Sequence, residues 1–157
     1  MIAGNLLLPG FGGLALGGIS GHLVRSVVRR ASVEKKRVFV SFDFDNDRAL
    51  KVFLIGQSKL PDSPFEILDY SLREAAPERE WEKKARAAIR SSDLVLVMVG
   101  RNTYRAPGVL KEVAMARACG VPRVQMIGYR EGAYTPVRGA GRLYAWNWEN
   151  LKRLMTS

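Results

Sequence analysis

The chain has 157 residues, 25 Lys plus Arg against 15 Asp plus Glu, and a formal net charge of +10. That length holds one domain of about five strands with their helices and excludes a TIM barrel, which takes about 250 residues. One cysteine, Cys119, and one histidine, His22, exclude a disulfide framework, a multi-cysteine zinc site and a His-rich metal site. Chemistry, if there is any, rests on carboxylates, hydroxyls and backbone groups.

Residues 1–35 read as an apolar Gly-rich extension followed by a basic linker. The first 24 residues carry no charge with His22 neutral, and seven of them are glycine. The run is long enough to cross a bilayer, which takes about 20 apolar residues. Its glycines and Pro9 make insertion marginal. Gly13, Gly17 and Gly21 recur every four residues, a small-residue ridge that lets apolar helices pack closely. No basic segment precedes the run, so a secretory signal fits poorly. Six basic residues and one acid in residues 1–37 hold half of the net charge. A basic tail beside an apolar segment points to membrane or protein contact by residues 1–30 more than to nucleic acid. Insertion would leave the basic linker and the domain in the cytoplasm. A flexible tail and a start site placed too far upstream fit the same residues.

From residue 36 to 157 strand and helix patterns alternate. Val38 to Phe42 is a β-rich run, and Asp43 to Asp47 is a polar loop in which Asn46 or Asp47 can cap the next helix. Leu50, Phe53 and Leu54 give that helix its apolar face, and Gly56 predicts fraying. Pro61 to Pro64 is a turn. Phe65 to Tyr70 predicts a second strand, and Pro77 opens a second helix with Glu78 and Glu80 at its positive end. Leu94 to Val99 is uninterrupted and apolar, as a central parallel strand covered on both faces must be. Pro107 opens a third helix that Gly120 and Pro122 end. Val124 to Ile127 and Leu143 to Trp146 predict two further strands, and Asn147 to Met155 a closing helix. The sum is a doubly wound α/β sheet of about five mainly parallel strands, flavodoxin-like in size.

Such folds bind ligands outside the carboxyl ends of their strands. Three loops therefore matter: Ser41 to Asp47, Ser71 to Pro77, and Gly100 to Pro107. Carboxylates stand in or near each one: Asp43, Asp45 and Asp47, then Glu74, then Glu112. Carboxylates at strand ends are also ordinary caps, and Glu112 beside Lys111 also fits a solvated helix face. The loop after the first strand has no glycine, so no dinucleotide-cofactor fingerprint is present. Val99 and Gly100 stand where a phospho-receiver would carry its aspartate.

The succession KRVFVSFDFDND, then SSDLVLVMVGRNTY, then a helix containing VLKEV resembles TIR-type domains. It is most similar to the bacterial TIR-like group that includes the TIR protein of the Thoeris anti-phage system. Ser41 and Phe42 match the end of the family's first strand. Ser91, Ser92 and Asp93 match the turn before its third strand, and Glu112 before Val113 matches the glutamate on the next helix. The tryptophan that precedes that glutamate in the family is absent, with Pro107 and Gly108 in its neighbourhood. The resemblance implies a TIR-like fold and cleavage of NAD to nicotinamide and an ADP-ribose-derived signal, cyclic in some members, that activates a partner effector. It implies Glu112 as the catalytic carboxylate, and Ser41, Asp43, Phe44, Asp45 and Tyr104 as substrate-binding residues. NAD is then a substrate and no resident cofactor or metal is expected. Self-association is expected as well, because enzymatic TIR domains complete their cleft by assembly. The alternative from another class is a non-catalytic TIR-like assembly module, tethered to a membrane by its extension.

Overall fold

The computed structural model describes residues 34–68 and 77–157. The readings made of residues 1–33, of the loop carrying Glu74 and of Asp69 and Tyr70 lie outside the described residues.

The strand Leu94–Val99 (here β3) has no exposed side chain. Alternation along a strand sends successive side chains to opposite faces, so such a run needs cover on both. Five parallel strands form the sheet: β1 Lys36–Phe42, β2 Phe65–Ile67, β3, β4 Arg123–Ile127 and β5 Leu143–Ala145, in the order β2-β1-β3-β4-β5. Four helices cover it: α1 Arg48–Ser58, α2 Glu78–Ser91, α3 Pro107–Ala118 and α4 Trp148–Thr156. Val95, Val97 and Val99 face α2 and α3, joining Trp81, Ile89, Val109 and Val113. Leu94, Leu96 and Met98 face α1 and α4, joining Leu50, Leu54, Leu151 and Met155. The doubly wound fold expected from the sequence is therefore the one adopted.

Element ends differ from expectation in several places. β2 stops at Ile67, and Leu68 of the predicted strand lies beyond its end. α1 runs through Gly56 to Ser58, where the Ser58 hydroxyl donates to the Ile55 carbonyl. A single 3-10 turn, Thr103–Arg105, separates β3 from α3 and was not foreseen. Asn147 caps α4 by accepting from the Asn150 amide at 2.7 Å, so the closing helix starts one residue later than predicted. Trp81 is buried in one core layer, and Trp146 and Trp148 pack against the other. None of the described helices is long and apolar enough to cross a membrane.

Gln125 fixes the long connection between β4 and β5. Its side chain is buried beside β3, where an unpaired amide would be costly. Its Nε2 donates to the carbonyls of Val137 and Gly141 at 3.1 and 2.7 Å, and its Oε1 accepts from the Val137 amide at 2.7 Å. Gly141 holds a φ of +84°, and a Cβ there would stand 2.1 Å from the Arg123 carbonyl oxygen, so only glycine fits. Gln125→Leu strands three backbone groups and is expected to lower unfolding free energy by about 3 kcal/mol, measured by urea denaturation.

Candidate functional site

β1 and β3 are neighbours whose following helices pass to opposite faces of the sheet. That places the topological switch point between them, where open α/β sheets bind ligands. Three buried carboxylates stand near this point: Glu112 on the α2/α3 side, Asp47 at the rim and Asp43 in the loop after β1.

Ser41 is the last-but-one residue of β1 and shares the parity of Phe39, so it points toward α2 and α3. On α3 the buried positions include Gly108, Val109, Glu112, Val113 and Ala116, the spacing of one helical face turned to the sheet. Glu112 lies on that face at 6% exposure, and the Ser41 hydroxyl, fully buried, donates to its Oε2. A carboxylate in this layer requires such partners, because desolvation without them would be prohibitive. The solvated position that Glu112 might have taken belongs to Lys111 instead. The Lys111 ammonium binds Glu78 and Glu82, the latter at 2.7 Å. Its hydrogen bond and charge hold the Glu78 carboxyl below its ordinary range, while the two glutamates push Lys111 up.

Asp47 has the N-cap position of α1 but makes no side-chain cap bond, contrary to the capping role predicted for it. Its carboxylate is drawn across the switch point instead. The Tyr129 hydroxyl, from the loop after β4, donates to Oδ1 at 2.5 Å. Thr103, from the loop after β3, donates to Oδ2 at 3.3 Å and itself accepts from the Gly100 amide at 2.7 Å. Gly100 must lack a side chain, since a Cβ would lie 2.2 Å from Oδ2 of Asp47. One carboxylate, 4% exposed, thus gathers three loops.

Ser41 and Glu112 are brought together; the other predicted site residues make the following contacts. Asp43 is buried and spends both oxygens within its own loop, accepting from the Asp45 amide at 3.2 Å and from Asn46 Nδ2 at 2.8 Å. Asp45 is exposed. Phe44 packs with the α1/α4 layer, 6.2 Å from the Phe42 ring centroid, with the Arg48 guanidinium 4.0 Å above its own. Tyr104 lies exposed on the 3-10 turn beside Arg105. Among the described residues no cluster of His, Cys, Asp and Glu could hold a metal ion.

A cleft of about 580 Å³ opens over Asp47. Arg101 and Asn102 line it from the loop after β3, and Tyr129, Arg130 and Tyr134 from the loop after β4. Neither Ser41 nor Glu112 lines it. Tyr129 and Tyr134 stack at 5.9 Å with ring planes 14° apart. The sequence reading missed these residues by treating only three strand ends; the same rule applied to the end of β4 points to Tyr129 and Arg130.

Burial, with the bond to Asp47 and its charge, pushes the Tyr129 phenol up to about 12, against the opposing charge of Arg101. The folded value lies above the unfolded one near 10. Tyr129 therefore contributes stability that is present below about pH 10 and lost as pH rises through about 12. Tyr129→Phe is expected to cost about 1 kcal/mol at neutral pH, by urea unfolding, and to remove a phenolate transition near pH 12 from an ultraviolet titration.

The family model described as Thoeris protein ThsB, TIR-like domain, matches residues 39–130, which include β1 through β4, Ser41, Asp47, Glu112 and Tyr129. No curated protein matches the chain.

Proposed function

From the premise that this chain belongs to the TIR-like family of Thoeris ThsB proteins, an anti-phage defence family, we propose that it consumes NAD to make a signal. The reaction is cleavage of the bond between nicotinamide and ribose. The product is an ADP-ribose derivative, linear or cyclic, that activates a separate effector protein. The observation that carries this reading is the buried Glu112 carboxylate held by the Ser41 hydroxyl near the carboxyl end of β1.

The chemistry asks little of an acid, because nicotinamide leaves as a neutral group. What needs stabilising is the ribosyl oxocarbenium ion, as in glycoside hydrolysis. An ionised Glu112 supplies negative charge for that cation in a site of low dielectric, where a fixed charge acts more strongly than in water. The same carboxylate can accept from ribose hydroxyls and orient the sugar. For cyclisation it can take the proton of the attacking hydroxyl. Ser41 positions it by fixing one carboxylate oxygen. Asp43 supports the loop next to Ser41 by accepting from the Asp45 amide and Asn46.

A second reading is a non-catalytic assembly module of the same family. It is favoured by the low exposure of Glu112 and by Pro107 and Gly108 in the neighbourhood where the family resemblance expects a tryptophan. Self-association belongs to both readings, since assembly would complete an enzyme's cleft and is itself the function of a module.

Mass spectrometry of NAD incubated with concentrated full-length protein, with and without lysate from phage-infected cells, separates the two. The enzyme reading expects nicotinamide release that falls at least about a hundredfold in Glu112→Gln, with an unchanged circular dichroism spectrum. Ser41→Ala is expected to lower kcat about tenfold through loss of one hydrogen bond to the carboxylate. No turnover under either condition would move the assignment to the module, and full activity in Glu112→Gln would keep the enzyme but refute Glu112 as its catalytic carboxylate.

A further inference from the structure

Neither Ser41 nor Glu112 lines the cleft over Asp47, which has the parts of a ligand site of its own. Its volume of about 580 Å³ falls within the range of small-molecule sites. It lies at the switch point, on loops fixed to one another through Asp47. Arg101 and Arg130 stand on its walls, both exposed, and neither makes a hydrogen bond or ion pair among the described residues. Guanidinium groups with open donors suit a phosphate, which they can bind through two parallel hydrogen bonds.

The opposing surface is aromatic and rigid. The Tyr129 and Tyr134 rings stack, and both hydroxyls are tied down, Tyr129 to Asp47 and Tyr134 to the Glu131 carbonyl at 2.5 Å. A fixed aromatic face beside open guanidiniums fits a planar base joined to phosphate. The Asp47 carboxylate is covered and its oxygens accept from Tyr129 and Thr103, so the exposed guanidiniums of Arg101 and Arg130 present the charge of the open face. Glu131 is the exposed acid of the lining and is suited to accept from ribose hydroxyls. A second groove of about 810 Å³ shares Tyr129 and Arg130 and continues to Trp146 and Asn147, giving room for a ligand longer than a mononucleotide.

We propose that this cleft binds a nucleoside phosphate, with Arg101 and Arg130 on the phosphate and the Tyr129–Tyr134 pair under the base. The site is separate from Glu112 and does not depend on NAD cleavage.

Isothermal titration of the full-length protein with ADP, adenosine and inorganic phosphate tests it. ADP is expected to bind, and adenosine at least about tenfold more weakly. The double variant Arg101→Ala, Arg130→Ala should weaken ADP about tenfold or more, and Tyr134→Ala about threefold or more. Arg130→Gln alone serves if the double variant folds poorly by circular dichroism. Glu112→Gln should leave ADP affinity within about twofold of the parent. Absence of ADP binding, equal binding of adenosine, or ADP affinity unchanged by the arginine substitutions would overturn the site; in the last case ADP sits elsewhere, such as beside Glu112. NAD turnover with no ADP binding here would refute this site alone, and ADP binding here with no turnover would refute the catalytic reading alone.

Discussion

β3 must be kept from water on both faces, and the rest of the chain is arranged to do so. Its six side chains are all buried, and each gains roughly 1.5–3 kcal/mol from leaving water. One face takes α2 and α3, the other α1 and α4. Covering both faces with a single chain requires the winding to reverse once. The reversal falls between β1 and β3, where the helices that follow the two strands part to opposite sides. The loops separate there, and the Asp47 cleft is the opening they leave. The site region is thus a geometric consequence of how an apolar central strand is covered.

Glu112 and Asp47, two of the buried carboxylates near that opening, illustrate different uses of the same costly group. Glu112 lies inside the layer between the sheet and α3, where charge is strongly penalised and a hydroxyl from β1 offsets part of the cost. In the proposed reaction this carboxylate would stabilise the cation that forms in the transition state. Asp47 sits at the rim and is bonded by a tyrosine 82 residues further along the chain. Its negative charge is turned inward to hold loops together, which leaves the arginines above it open. One carboxylate is suited to chemistry and the other to shape.

Much of the fold was legible in the sequence because its signals are local. The apolar run of β3, the helix-opening prolines at Pro77 and Pro107 and the alternation of strand and helix are read within windows of a few residues. Ends were less legible: the helix passes through Gly56 because that position meets nothing within 4 Å and only propensity opposes it. The pairing of Ser41 with Glu112 was half legible. Parity along β1 and the helical spacing on α3 show that each faces inward, but not that they meet. The hydrogen bonds of Asp43 within its own loop had no sign in the sequence beyond its place at a strand end. Tyr129 was legible as a residue past the end of β4, but its bond to Asp47 in another loop was not.

By itself the sequence determined the fold class, the family and the placement of candidate carboxylates at strand ends. Those properties follow from hydrophobic period, turn chemistry and motif order, all of which are short-range. Only the tertiary structure decided which carboxylates are buried, which partners they take and which side of the switch point each one serves. Burial and hydrogen bonding there join residues 71 and 82 positions apart, and a pairing at such separation is set by how whole elements pack.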